Sequence, residues 1–466
     1  MKIIGKILSF ILMALFIITM YLVYRLNVLP LKYFLIVGIV LLLVIFILCF
    51  KLIRKKTKFF SRIFFSVVAI IFIGVIYYIL TYINATYDFM NSMVLNNFET
   101  ITYDVIIPNS SNIEKVKELK NSSISYLESD SNYSKAKLLL RKDINYQENP
   151  CKNINSIISS FENSKALFIE DSYYNLLKEE YDSIKDTKVI KTYKLIVKKD
   201  KKTNNSTTSK PFIIYISGID TYGKISSVSR SDVNIVAVVN PALEKILLVS
   251  IPRDYYVKLH NTNGYNDKLT HAGIYGIDMS VNTIEDLLDI NIDYYLRLNF
   301  STLTKSIDLL DGVDVYSDIT FNPTTNPDLT IYQGLNHMNG EEALAFARER
   351  YAYQTGDRHR GENQQAIIEA VIKKLSNPKN ITKYKDILNS LDGTFETDMS
   401  YKDITNLVKL QISKNIDWNV TSISLDGKGS MMPTYSMGER KLYVMIPDEE
   451  TVVNAKNKIS KYMESK

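Results

Sequence analysis

At 466 residues the chain is long enough for more than one domain, and its 56 basic against 50 acidic side chains give a formal charge of +6. That charge does not mark a nucleic-acid binder: ten lysines and arginines and no acid precede Asp88, so the remainder is net acidic. Two cysteines, Cys49 and Cys151, exclude a disulfide-stapled fold.

Three apolar stretches, about Ile7–Tyr24, Leu31–Phe50 and Ile63–Ile83, occupy residues 1–88. Each approaches the roughly 20 residues a helix needs to cross a bilayer, and a cleaved signal peptide would account only for the first. The basic cluster from Lys51 to Arg62 predicts a cytoplasmic loop. The amino terminus then lies inside, and everything after about Asn84 is delivered outside.

Residues 89–199 read as a small accessory α/β domain. Tyr103–Ile107, Ala166–Ile169 and Val189–Val197 have strand character, whereas Asn112–Leu127 and Ser172–Ile184 show helical spacing. Ser134 and Lys137 form an S-x-x-K without the K-T-G that acyl-enzyme chemistry requires, so the match is coincidental. The polar run 200–210 is a linker, and residues 211–466 form the second extracytoplasmic domain.

That domain opens on a buried-strand run, Phe212–Ile216, with Asp220 just past its end. Val233–Val239 and Ile246–Ile251 flank a turn containing Asn240-Pro241 and predict a hairpin. Its register sets Asp232 opposite Pro252 and Arg253. Arg230, Asp232 and Arg253 then converge at one sheet end, which Asp220 reaches if its strand is a neighbour. Further on come helices at Asp278–Leu288, Ser301–Leu310, Gly340–Phe346, Tyr401–Ile412 and Glu449–Met463, and a run with Ile367, Ile368, Val371, Ile372 and Leu375 inward. Strands are predicted at Tyr294–Leu298, Val313–Tyr316, Thr421–Leu425 and Leu442–Ile446. This alternation predicts one α/β or α–β–α layered domain.

Arg348–Gln365 concentrates charge between two apolar-periodic segments. Arg348 and Arg350 share a face if the backbone between them is extended, and Asp357, Arg360 and Gln364 share one face of a helix beginning near Gly356. Guanidinium forks beside a helix N-terminus suit a multiply charged anion. The competing reading is a solvated loop with surface ion pairs.

No H-E-x-x-H, G-x-S-x-G, Walker loop or C-x-x-C occurs, and His260, His271, His337 and His359 have no metal-ligand spacing. Carboxylates with arginines suit a phosphate ester or pyrophosphate held with Mg²⁺ or Mn²⁺.

The chain resembles the LytR–CpsA–Psr family of Gram-positive cell-wall enzymes. The resemblance rests on I-S-G-I-D (216–220), S-R-S-D-V (229–233), L-V-S-I-P-R-D (248–254), D-K-L-T-H-A (267–272), I-D-Y-Y-L-R-L-N-F (292–300), L-D-G-V-D-V (310–315), G-E-E-A-L-A-F-A-R-E-R (340–350) and G-D-R-H-R-G-E-N-Q-Q (356–365). Three spans before an accessory domain are similar to the CpsA-like, capsule-attaching members. The resemblance implies an LCP-type phosphotransferase moving a glycopolymer, capsular or teichoic-acid-like, from an undecaprenyl-pyrophosphate carrier to peptidoglycan. Capsule assembly proteins are further implied partners, and nucleic acid is not. It implies that Asp220 and Asp232 hold Mg²⁺, with Asp232, Arg350 and Asp357 catalytic. Arg230, Arg253, Arg348, Arg350, Arg360 and Gln364 are implied to bind phosphate. Asn363 departs from the arginine many members carry before Gln-Gln. Hydrolysis of the lipid pyrophosphate, or a non-catalytic regulator or scaffold, are the alternatives.

Overall fold

The computed structural model describes residues 2–26, 29–54, 57–94, 98–128, 130, 132–152, 154–161, 166–198, 210–220, 225, 229–354, 356–377, 379–380 and 394–464. The linker expected at 200–210 therefore lies outside the described residues except for Lys210.

Three helices, α1 (Lys2–Leu26), α2 (Leu31–Ile53) and α3 (Phe59–Val94), are long and apolar enough to cross a membrane. They pack through Leu8, Leu12, Ile45, Leu48, Leu52, Ala69 and Ile76. Phe10, Ile39, Phe46 and Ile70 stay exposed, as helices with lipid on their outer faces leave them. At 36 residues α3 is about 54 Å long, more than the hydrocarbon core needs.

Next come β1 (Phe98–Pro108), β2 (Ser123–Leu127), α4 (Tyr133–Leu140), β3 (Gln147–Cys151), α5 (Ile154–Phe161), β4 (Ala166–Glu170), α6 (Asp171–Glu180), α7 (Asp182–Lys185) and β5 (Thr187–Lys198). They build a five-stranded sheet in the order β3-β2-β4-β1-β5. Period-two alternation explains its two faces. Tyr103, Val105 and Ile107 turn toward α4, whereas Ile106, Leu167 and Ile169 turn toward α5 and α6. Asn112–Leu127, predicted helical, is instead a short 3₁₀ turn at Val116–Leu119 followed by β2. Asn121 at φ 61° interrupts the helix, and β2 pairs in parallel with both β3 and β4. Tertiary pairing overrides the local periodicity here.

The remaining elements are β6 (Phe212–Ile219), β7 (Val233–Asn240), β8 (Lys245–Ser250), β9 (Tyr256–Val257), β10 (Asp267–Lys268), α8 (Leu269–Ala272), α9 (Ile277–Leu288), β11 (Tyr294–Asn299), α10 (Phe300–Leu309), β12 (Val313–Ser317), β13 (Gly334–Met338), α11 (Gly340–Arg348), α12 (Asp357–Ser376), β14 (Phe395–Thr397), α13 (Tyr401–Lys414), β15 (Asn419–Ser424), β16 (Gly427–Thr434), β17 (Gly438–Pro447) and α14 (Glu449–Met463). Six of the strands form a mixed sheet, β14-β11-β6-β7-β8-β15. Ile213, Tyr215, Val236, Val238, Leu247 and Val249 meet α9 and α14 on one face. Phe212, Ile216, Ile235, Ala237, Ile246 and Leu248 meet α12 and α13 on the other. Apolar side chains on both faces produce the near-continuous hydrophobic runs seen in the sequence, and the α–β–α layering follows.

Strand direction places the site. β6 pairs antiparallel with β7, and β7 with β8. The end of β6, the start of β7 and the end of β8 therefore share one sheet edge. The hairpin register, Ile235↔Ser250 and Val239↔Ile246, carries Asp232 across from Arg253.

Candidate functional site

Asp232 precedes β7, and its backbone N–H donates to the Gly218 carbonyl of β6. Its Oδ1 accepts from Arg253 Nη1 at 2.9 Å and from Thr270 Oγ1 at 3.1 Å. Its side chain is only 11% exposed, so both bonds are made largely out of water. Burial pushes this carboxyl up, but Arg253, Arg230 and Arg360 hold it below the ordinary carboxylate range. Asp220, just past β6, behaves oppositely. Burial and the neighbouring Asp232 charge raise it, and the Arg348, Arg230 and Arg253 charges only partly offset them. Two adjacent carboxyls with affinities driven apart are a usual mark of a functional pair.

Arg348, the last residue of α11, reaches Asp220 Oδ2 at 3.6 Å and lies 4.5 Å above the Phe300 ring. Glu349 is extended, with φ −68° and ψ 134°, so Arg348 and Arg350 are separated by one extended residue as the spacing requires. Glu349 itself is 1% exposed. Its carboxylate accepts from the N–H groups of Thr324, Arg350, Tyr351 and Ala352 and from the Thr324 hydroxyl. Burial would raise its pKa, yet the Thr324, Ala352 and Tyr351 donors hold it low. A folded-in anion thus shapes the turn that carries Arg350, whose guanidinium lies over the Tyr351 ring.

α12 starts as predicted, capped by Gly356 at φ 52°. Arg360 sits in its first turn, close enough for its charge to act on Asp232. The glycine at 361 lets this turn approach the sheet: a Cβ there would lie 2.6 Å from Ser250 Oγ. Gln364 donates at 3.4 Å to the Ala347 carbonyl, tying α12 to α11. Gln365 donates to the carbonyls of Leu248 and Ile423 and fixes α12 to the sheet. Asn363 is buried and donates to Phe346 O, a structural use of the position where arginine was expected. Arg358 pairs with Asp426 at 2.6 Å and with Glu362 on the surface, away from the carboxylates. Asp357 begins α12, but its side chain lies outside the described residues.

The structure thus gathers Asp220, Asp232, Arg230, Arg253, Arg348 and Arg360, with Arg350 and Gln364 on the adjoining turn and helix. Sequence reasoning passed over Thr270, Glu349 and Arg297. Arg297 is 1% exposed; its Nη2 donates to Ser229 Oγ at 3.0 Å and its Nη1 faces Glu396 at 3.6 Å, bracing the segment before Asp232. All three lie within the quoted motifs, so the signal was an unassigned polar residue inside an otherwise accounted-for stretch. Lys268 and His271 serve packing: Lys268 faces Asp254 at 3.1 Å, and His271 faces the buried Asp267 at 2.7 Å.

A divalent ion fits this donor set. Among the described residues no group of three or more His, Cys, Asp or Glu side chains could hold a metal alone. Asp220 and Asp232 are the two carboxylates here that could contact a divalent ion whose remaining shell is substrate oxygen and water.

The LytR_cpsA_psr family model matches residues 181–459. Polyisoprenyl-teichoic acid–peptidoglycan teichoic acid transferase TagU of Enterococcus faecalis is 33% identical over 220 residues, 47% of this chain and 71% of that protein. The Bacillus cereus protein of the same name is 33% identical over 275 residues, 59% and 81% respectively. A solved structure, B. subtilis TagV, shares 28% identity with a TM-score of 0.47, over 56% of this chain and all of that one. A family match spanning more than half of the 466 residues includes every motif that supplies the carboxylates and arginines, and the chain belongs to the LytR–CpsA–Psr family.

Proposed function

We propose that the protein transfers a teichoic-acid-like or capsular glycopolymer from a polyprenyl-pyrophosphate carrier to a hydroxyl of peptidoglycan. The observation that carries this reading is the pair of unlike carboxylates, Asp220 and Asp232, set among arginines from two parts of the fold. Relatives named as teichoic acid transferases support it. The three apolar helices suit a lipid-borne donor, and the Lys51–Arg62 cluster supports an outward-facing catalytic domain.

The acceptor oxygen attacks the phosphorus bonded to the glycan, the phosphoanhydride bond breaks, and polyprenyl phosphate leaves. The glycan thereby becomes joined through a phosphodiester. Arg230, Arg253, Arg348, Arg350 and Arg360 bind and neutralise the pyrophosphate oxygens, and Gln364 orients them. Mg²⁺, held by Asp220 and Asp232, would supply further charge neutralisation on those oxygens. Asp357, at the start of α12, is the candidate for orienting or deprotonating the acceptor hydroxyl, whose proton otherwise passes to solvent.

The test is transfer of labelled polymer to isolated sacculi by the purified full chain with Mg²⁺ and lipid-linked donor. Arg360→Ala and Asp232→Ala are expected to abolish attachment while retaining the fold. Normal attachment by both variants would overturn the reading, as would polymer release that is independent of acceptor.

A further inference from the structure

The five-stranded module packs directly against the segment that holds Asp232. Tyr173 of α6 meets Tyr275 edge-on, with ring centroids 5.7 Å apart, and both side chains lie in one apolar cluster that also takes in Ile274, Met437 and Leu442. Arg440 of β17 adds a cation contact 4.5 Å above Tyr181. Tyr275 in turn stands 5.9 Å from the Tyr435 ring, and its hydroxyl is 2.9 Å from Ser436 Oγ. Ser436 donates through both N–H and hydroxyl to Asp267, whose other oxygen faces His271.

Between Asp267 and Tyr275 the chain makes its contacts with the site. Thr270 donates its hydroxyl to Asp232, its N–H to the Arg253 carbonyl, and accepts from the Ser231 N–H. Gly273 lies so close to residues 229–231 that a Cβ would stand 2.4 Å from Ser229 O and 2.8 Å from Ser231 N. One short stretch thus has the accessory module on one side and the Arg230–Asp232 segment on the other. It is short, closely packed and hydrogen-bonded at both ends.

We infer that the five-stranded module positions the active site: through Tyr173 on Tyr275 it clamps residues 267–275, and Thr270 thereby fixes Asp232 and the Arg230 segment. Tyr173 and Tyr275 are positioning residues, distant from the phosphates. The consequence for catalysis rests on the transfer reading above; the mechanical coupling does not. Because three of the five proposed pyrophosphate-binding arginines, Arg348, Arg350 and Arg360, come from the other half of the site, loosening this clamp lowers turnover more than donor affinity.

The test is residue-resolved amide exchange on the full chain in lipid nanodiscs, comparing wild type, Tyr173→Ala, Tyr173→Leu, Tyr173→Phe and Tyr275→Phe, alongside the transfer assay. Tyr173→Ala is expected to speed exchange of the Ser231 and Thr270 amides about tenfold, with β6–β8 still protected. Its kcat falls about tenfold while KM for the donor stays within about twofold. Tyr173→Phe, which keeps the ring contact, restores both. Tyr275→Phe keeps the ring contact and loses only the Ser436 contact, so it is expected to behave like Tyr173→Phe; Tyr173→Leu, which loses the ring pair without emptying the apolar cluster, shows a smaller shift than Tyr173→Ala in the same direction and decides the matter if Tyr173→Ala fails to fold. Unchanged Ser231 and Thr270 exchange in a folded Tyr173→Ala or Tyr173→Leu variant would overturn the clamp. Wild type inactive in transfer would overturn the proposed reaction, with exchange still judging the clamp.

Discussion

The two halves of the site are held in opposite ways. On the sheet edge, Asp232 is bonded by Arg253 and Thr270, Ser231 meets Ser217 at 2.9 Å, and Arg297 braces Ser229 from within the core. On the helical side, the backbone is fixed by the buried Glu349, but the Arg348 side chain is 34% exposed and its ion pair with Asp220 spans 3.6 Å. The carboxylate half is preorganised by those bonds, and the arginine half is mounted on a rigid turn with the Arg348 end partly open to solvent. A site built this way needs little reordering of its acids when a ligand arrives.

The largest expected effect comes from the preorganised half. Asp232→Asn keeps an oxygen for Thr270 and Arg253 but removes the charge, so transfer is expected to fall about 10²–10³-fold with little change in unfolding midpoint. A matching loss of stability would mean that the carboxylate serves packing and not chemistry. Glu349→Ala attacks the other half. It leaves several N–H donors without their acceptor, at a cost of about 3 kcal/mol in thermal or denaturant unfolding, and it raises KM for the donor by loosening the Arg348–Arg350 turn.

These two carboxylates also show what was legible in the sequence. Asp220, Asp232 and Arg253 could be placed together because alternating apolar runs and an Asn-Pro turn fix the hairpin register, and register fixes which residues face each other. Gly356 announced the start of α12 by the same local logic. Glu349 could not be found this way. Between two arginines it reads as their surface counter-ion, and only the docking of the Thr324 loop, 25 residues away, reveals it as a buried acceptor. Thr270 was hidden for a similar reason, since its partner Asp232 lies 38 residues earlier. Polar residues whose partners are distant in sequence leave no periodicity behind, and β2 escaped notice because its pairing with β3 and β4 is likewise non-local.

pH sharpens the contrast further. Glu349 has a folded pKa below its unfolded value of about 4.3, so the stability it contributes is complete above that value and is lost as pH falls through the depressed folded value. Unfolding followed from pH 6 to pH 3 should show this loss in wild type and a shallower slope in Glu349→Gln. Equal slopes would remove Glu349 from the account. The smallest effect is expected from Arg358→Ala. Its pairs with Asp426 and Glu362 are 42%, 36% and 40% exposed, so unfolding should change by less than about 1 kcal/mol and transfer not at all.

The central claim is that the two halves close on one pyrophosphate. It is tested most directly by a crystal structure of the protein with a polyprenyl pyrophosphate and Mg²⁺. Phosphate oxygens are expected within hydrogen-bond distance of Arg253, Arg348 and Arg360, with the ion between those oxygens and Asp220 and Asp232. Pyrophosphate bound elsewhere, with those arginines still turned onto protein partners, would contradict it.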